Sequence, residues 1–131
     1  MKRDMELVRT ILLTLAAVPE GQHIPNPLVI DGHTEQAVGH HVSLMGQAGL
    51  LKIADITTMS DAFSQALPLE ITWKGHDFIE TMQSQEVWER TKQAMKEAGG
   101  GGFSMMMEFG KKVAEGFLKK KLKDATGIDL G

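Results

Sequence analysis

The most informative stretch of this sequence is residues 34–78, TEQAVGHHVSLMGQAGLLKIADITTMSDAFSQALPLEITWKGHDF. Thr34 is a typical N-cap and Gly49 stands where a glycine closes a helix, so the residues between them predict one helix. Its apolar side recurs at helical spacing: Ala37, Val38, His41, Val42, Leu44, Met45 and Ala48. Two β-rich runs follow, at residues 51–57 and 68–73, and they predict a hairpin because one short connection joins them.

Helical patterns flank this stretch on both sides. Asp4 is a candidate N-cap for a first helix, whose apolar positions are Met5, Val8, Ile11, Leu12 and Leu15. Residues 28–30 form a short β-rich run that predicts one brief strand. From Lys74 the pattern predicts one long helix up to Ala98, with buried positions at Phe78, Ile79, Met82, Val87 and Trp88.

The C-terminal part of the chain begins with four consecutive glycines, Gly99–Gly102, which predict a hinge. Helical spacing of apolar residues then resumes from Phe103. The expected organisation is a folded domain at 1–98, a glycine hinge at 99–102, and an amphipathic C-terminal helix and tail at 103–131. The fold class is mostly α with a small β-hairpin, hence α+β.

Composition limits what the protein can be. The chain has 131 residues, 42% of them apolar, which is enough for one core. It contains no cysteine, so disulfides and zinc–thiolate sites are excluded and a reducing cytoplasm is expected. The net charge is −3, but residues 111–123 contain six lysines against one glutamate. Neither a signal peptide nor a membrane span is predicted, since charged residues interrupt every apolar run.

Two phrases resemble parts of a winged-helix domain. HHVSLMGQAGLLK at 40–52 resembles the end of a recognition helix entering the first wing strand, and LEITWKGHDF at 69–78 resembles the exit from the wing. With MKRDMELVRTILL at 1–13 and VWERTKQAMKE at 87–97, these phrases are similar to domain-of-unknown-function family 2513 of bacteria and their prophages. The resemblance covers essentially the whole chain. It implies a winged-helix fold and a phage or mobile-element origin, and it implies no activity.

The sequence departs from the general winged-helix pattern at one point. A standard winged helix has two helices between its first and second strands. Only about twenty residues separate Ile30 from Leu51, which leaves room for one good helix at 1.5 Å per residue. The first member of the helix-turn-helix pair is therefore absent or reduced to a turn within 31–35, and this weakens the inference of DNA binding.

The polar stripe of the 34–48 helix is the candidate DNA-contact surface. Its members, at spacings of three and four, are Gln36, Gly39, His40, Ser43 and Gln47. Glutamine can pair with adenine edges and serine with several bases, so base reading is chemically feasible. The alternative is a solvated polar face, which the absence of Lys and Arg from this helix favours, because DNA affinity depends on phosphate neutralisation.

No catalytic, metal or cofactor site is predicted. His33 and His40 are seven residues apart, too far along a helix to share an ion. Ser43, Ser60 and Ser64 lie outside any G-x-S-x-G frame, and the glycine run lacks the lysine of a phosphate loop. The chain is therefore expected not to be an enzyme.

The C-terminal helix is the candidate protein-interaction surface. Its apolar face contains Phe103, Met106, Met107, Val113, Phe117 and Leu118, and its basic patch contains Lys111, Lys112, Lys119, Lys120, Lys121 and Lys123. The helix can pack on its own domain, associate with a second copy, or bind a membrane surface or nucleic acid. We expect a non-enzymatic interaction protein of phage or mobile-element origin that acts through protein–protein contacts, first of all by self-association into a homo-oligomer through the C-terminal helix, and otherwise with a host or phage factor. The alternatives are a DNA-binding transcriptional regulator and, ranked lower, a membrane-surface protein.

Overall fold

The structure is a computed structural model that describes residues 2–62 and 65–127. Within these ranges the chain forms five helices and one two-stranded sheet. The elements are α1 (Met5–Ala16), α2 (Glu35–Gln47), β1 (Leu51–Asp55), β2 (Ala66–Ile71), α3 (Trp73–Met82), α4 (Gln85–Glu97) and α5 (Phe103–Thr126). The predicted α+β class is confirmed. Ser64 and the end of the predicted 103–131 segment, residues 128–131, lie outside the described residues.

The chain divides into two compact units, residues 1–79 and residues 80–131. The first unit contains α1, α2 and the sheet, and the second contains α4 and α5. The boundary between them falls within α3.

Helix α1 begins at the predicted cap. Asp4 Oδ1 accepts hydrogen bonds from the main-chain N–H groups of Glu6 and Leu7, at 2.9 and 3.4 Å. These bonds satisfy two of the donors that a helix start leaves unpaired. The predicted face is buried at Val8, Ile11, Leu12 and Leu15, with Leu7 beside it and Met5 half-buried. Helix α1 packs against α2 and touches β2, so this face forms the core of the first unit.

Helix α2 has the predicted cap at each end. Thr34 Oγ1 accepts from the N–H of Ala37 at 3.0 Å. At the other end Gly49 has φ of +77°, its N–H donates to Gly46 O at 3.1 Å, and the N–H of Leu50 donates to Met45 O at 2.9 Å. This pair of bonds is a Schellman motif, which requires the left-handed conformation that glycine adopts without strain. The glycine therefore turns the chain directly from α2 into β1.

The hairpin of β1 and β2 is antiparallel, with Leu51 opposite Ile71 and Asp55 opposite Ala66. Both strands lie against α2. The close approach depends on Gly46, because a Cβ at this position would lie 2.5 Å from the Cδ1 of Ile53. The prediction of a hairpin here is confirmed: β1 ends two residues earlier than predicted, and β2 has the predicted six residues but lies two residues earlier in the chain.

The start of α3 is attached to the end of α2. The side chain of Thr72 donates to Gly49 O, and Lys74 Nζ donates to Ala48 O at 3.1 Å. These bonds satisfy carbonyls that the last turn of α2 leaves unpaired. Gly75 permits the contact, since a Cβ there would overlap the carbonyl oxygen of Leu50.

The predicted strand at residues 28–30 is wrong. Residues 17–34 contain neither helix nor strand, although Leu28 and Ile30 are buried and Val29 is 76% exposed. The alternating burial is that of a strand, but among the described residues the sheet consists of β1 and β2 alone, so residues 28–30 have no ladder partner. A helix preceding α2 is also absent from this interval.

The predicted continuous helix over residues 74–98 is also wrong, because it is interrupted between α3 and α4. Ser84 has extended backbone angles and its Oγ accepts from the N–H of Val87 at 3.3 Å, so it caps a new helix. Serine offers the backbone this alternative to helical bonding more readily than most residues do. All five predicted core residues are nevertheless buried: Phe78, Ile79, Met82, Val87 and Trp88.

The second unit is built on the packing of α4 against α5. Residues 98–102 connect the two helices, and Gly99, with φ of +86°, closes α4 with a second Schellman motif. Trp88 and Thr91 are fully buried on α4, and Met106 and Gly110 are the buried residues of α5. A Cβ at Gly110 would overlap the end of the Met82 side chain, so the glycine lets α5 approach that methionine closely.

Candidate interaction surface

Helix α5 is much longer than the helix it packs against. It has 24 residues whereas α4 has 13, which correspond to about 36 and 20 Å of helix. The two helices run antiparallel because a five-residue connection joins them. The buried residues of α5, Met106 and Gly110, lie near its N-terminal end. Farther along α5, Phe117, Leu118 and Lys121 lie beside the start of α4.

A groove lies beside the second half of α5, within the second unit, and has a volume of about 340 Å³. One wall comes from the end of α3, the turn and the start of α4: Glu80, Thr81, Gln83, Ser84 and Val87. The other wall comes from α5: Ala114, Phe117, Leu118 and Lys121. The break at Ser84 creates the first wall, because a continuous helix would have no turn at this position.

The structure divides the six predicted protein-interaction residues into three groups. Met106 is buried, at 8% exposure, in the packing of the second unit. Four are half-buried: Phe103, Met107, Val113 and Phe117. Leu118 is 65% exposed and Leu122, one turn later, is 37% exposed. Met105, in the first turn of α5, is also exposed, at 41%, so exposed apolar side chains lie in both halves of α5 and the most exposed of them is Leu118.

The predicted basic patch surrounds this apolar surface. Five of its members are exposed, namely Lys111, Lys112, Lys120, Lys121 and Lys123, and Lys119 is half-buried. Lys112 pairs with Glu108 at 3.6 Å and Lys119 with Glu115 at 3.1 Å, each one helical turn apart. The ammonium of Lys121 lies 4.5 Å from the centre of the Phe117 ring. Residues 111–124 hold six lysines against one glutamate and one aspartate, so this segment is strongly positive.

The predicted DNA-contact stripe on α2 is only partly exposed. Gln36 and Gln47 are exposed, whereas His40 and Ser43 are half-buried. The stripe also lies in an acidic unit, since residues 1–79 contain five Lys or Arg against nine Asp or Glu. Its surroundings therefore attract polyanions poorly.

The hairpin beside α2 contains an ion pair across its strands. Lys52 Nζ lies 2.7 Å from the Glu70 carboxylate. The hydrogen bond to Glu70, with its charge, raises the pKa of Lys52, and the same bond lowers the pKa of Glu70. One of the few cations of the first unit is thus already neutralised by a carboxylate.

His41 is a structural residue of the first unit. It is 2% exposed, and the main-chain N–H of Asp4 donates to its Nε2 at 2.8 Å. A main-chain nitrogen can only donate, so Nε2 carries no proton and Nδ1–H donates to Ala37 O at 2.8 Å. The ring of His40 lies edge-on to it, 5.6 Å between centres. Through these two hydrogen bonds His41 connects the start of α1 to α2.

Two further site types are not found in residues 2–62 and 65–127. In these ranges no group of three or more His, Cys, Asp or Glu could hold a metal ion. The helices of the same ranges are all too short or too polar to cross a bilayer.

Sequence reasoning missed the α3–α4 wall of the groove, because it placed residues 80–84 inside one long helix. Ser84 followed by the acidic Glu86 was the available signal, since serine is a favoured N-cap and an acidic residue is favoured in the first turn.

Comparison with known proteins gives the family. A family model described as "Hypothetical protein (DUF2513)" matches residues 2–101, about three quarters of the chain. The chain belongs to this family. Within the DUF2513 match lie α1 to α4 and the hairpin, whereas α5 begins just beyond it. A Haemophilus influenzae strain Rd protein, named "Uncharacterized protein", is 28% identical over 96 residues, which cover 73% of this DUF2513 chain and 80% of the relative. No solved structure matches.

Proposed function

We propose that this chain is a non-enzymatic interaction protein whose contact surface is the second half of α5 with the groove beside it. The observation that carries the proposal is the exposure of Leu118, 65%, at the edge of a groove that also contains Phe117 and Val87. Covering apolar surface contributes about 25 cal/mol per Å², so a partner that filled the groove would gain affinity mainly from Leu118 and the exposed part of Phe117, because Val87 is only 3% exposed. One exposed leucine is ordinary, but a groove next to two exposed leucines one turn apart is typical of a protein contact.

We also propose that the first unit is a winged-helix domain. A winged-helix body is supported by the order of α1, α2 and the hairpin, and by the packing of α2 against both strands. The helix that would precede α2 in a standard winged helix is absent from residues 17–34. A phage or mobile-element origin rests on the sequence resemblance, and a cytoplasmic location rests on the lack of cysteine.

A DNA-binding regulator is the second candidate. The exposed Gln36 and Gln47 favour it, because they lie on a helix beside a hairpin and glutamine can bond to adenine. The excess of acidic residues in the first unit opposes it. This candidate requires duplex binding that falls with salt and with Gln36→Ala or Gln47→Ala.

Two measurements on Leu118→Asp test the leading proposal. The first is affinity capture from the native host, and the second is light scattering during size-exclusion chromatography, which reports self-association. Leu69→Asp is the matched control, because Leu69 is a 52% exposed leucine on β2 in the other unit. We expect Leu118→Asp, and not Leu69→Asp, to lose captured proteins or to reduce the mass. Identical captured proteins and identical masses for the wild type and Leu118→Asp would disprove the proposal.

A further inference from the structure

The lysines around Leu118 favour a negatively charged partner for this surface. Resting on the function proposed above, we infer that the partner segment is an acidic amphipathic helix of another protein. Its apolar side would lie along Ala114, Leu118 and Leu122, and its carboxylates would lie beside the lysines of α5.

The shape of the surface fits a short helix. Ala114, Leu118 and Leu122 are each four residues apart, so at 3.6 residues per turn they form a stripe along one side of α5. The groove runs beside this stripe and contains Val87 on its far wall. The stripe from Ala114 to Leu122 is about 12 Å long, a little over two turns. A partner helix of three or four turns would therefore place anchors at i, i+4 and i+7 in the groove.

The charge of the surface selects among possible helices. Residues 111–124 contain six lysines and two acidic residues, and Lys119 and Lys123 flank the stripe on the side away from α4. A second copy of α5 would bring the same excess of lysine to the contact, and like charges placed together across an interface are unfavourable. A helix with Glu or Asp at its flanks would form ion pairs at the rim and would be attracted over a distance.

The apolar stripe favours protein over the other polyanions that lysines attract. A nucleic-acid backbone neutralises lysines but gives no reason for exposed leucines at four-residue spacing. A helix on a lipid surface needs a broad apolar face. Part of the apolar side of α5 is already used, since Met106 and Gly110 are buried where α5 packs in its unit.

The test uses two synthetic helical peptides of about 18 residues, long enough for five turns. They share identical leucine anchors and differ only in flanking residues, which are glutamate in one and lysine in the other. Fluorescence anisotropy with the full chain should show the glutamate peptide binding at least about tenfold more tightly, with affinity falling as salt rises. Leu118→Asp and the double variant Lys119→Glu, Lys123→Glu should each weaken it about tenfold. Lys96→Glu, which reverses an exposed lysine of α4, should leave it unchanged.

The outcomes separate this inference from the function on which it rests. Equal binding of both peptides, or binding of neither, overturns the inference, and the capture experiment then decides the proposed function independently. A dimer that Leu118→Asp dissociates also overturns the inference while it supports the proposed function. Tighter binding to duplex DNA or to phosphatidylserine vesicles, unaffected by Leu118→Asp, overturns both. Circular dichroism of each variant checks that its helices are retained.

Discussion

Replacement of His41 is expected to loosen the first unit, because this side chain connects two helices. The main-chain N–H of Asp4 donates to His41 Nε2, and Nδ1–H donates to Ala37 O, both at 2.8 Å. His41→Leu introduces an apolar side chain of similar size and so removes the acceptor at Nε2. The N–H of Asp4, part-buried at the start of α1, then loses its partner.

The magnitude follows from these contacts. A buried donor left without a partner costs about 1–3 kcal/mol, and the lower end of that range applies because the N–H of Asp4 is only part-buried. Ala37 O keeps its bond within α2. We therefore expect His41→Leu to lower the free energy of unfolding by about 1 kcal/mol. His41→Gln should cost about half as much, because its amide oxygen can reach the position of Nε2 and accept from Asp4. The control His33→Ala changes an exposed histidine and should stay within about 0.5 kcal/mol of the wild type.

Urea unfolding followed by circular dichroism measures these differences, and hydrogen exchange at the amides of α1 assigns them to the first unit. A long-range ¹H–¹⁵N spectrum tests the hydrogen-bond assignment directly. It should show a proton on Nδ1 of His41 and none on Nε2. A proton on Nε2, or equal losses of stability for His41→Leu and His41→Gln, would refute the reasoning.

Two other predictions concern the hairpin and the close helix contacts. Gly75→Ala should destabilise the first unit by about 1–3 kcal/mol, because the new Cβ meets the backbone carbonyl of Leu50 and neither can move easily. Gly116→Ala, the same change on α5 with no atom within 4 Å of the new Cβ, should be neutral or stabilise by up to about 1 kcal/mol. Thermal unfolding measures both changes, and a destabilising Gly116→Ala beside a neutral Gly75→Ala would contradict this expectation. The Lys52–Glu70 pair lowers the pKa of the glutamate, so its contribution is present above the unfolded-state pKa and is lost as pH falls through the lower folded-state pKa. Glu70→Gln should therefore reduce thermal stability slightly at neutral pH, and this difference should shrink as pH falls below the unfolded-state pKa of glutamate; a difference that stays the same at every pH would exclude the pair as its cause.

The candidate surface was only half visible in the sequence. The apolar and basic faces of α5 follow from spacing alone, and both are present on the helix. Their exposure depends on what packs against them, so sequence reasoning treated Met106 and Leu118 alike although one is buried and the other is 65% exposed. The groove also depends on the turn at Ser84. The apolar spacing continues through this position, but the side chain of Ser84 caps a new helix by accepting from the N–H of Val87.

Local chemistry fixed most of the elements of this protein. Asp4 and Thr34 start helices because their side-chain oxygens accept from N–H groups within the next three residues, and Gly49 ends one because it adopts a positive φ. Such effects act over a few residues and can be read directly from the chain. The role of His41, the absence of a strand at 28–30 and the exposure of Leu118 are decided by which residues distant in sequence meet in space and which do not. Burial and hydrogen bonding at those positions depend on which elements meet in space, and spacing along one helix carries no information about that.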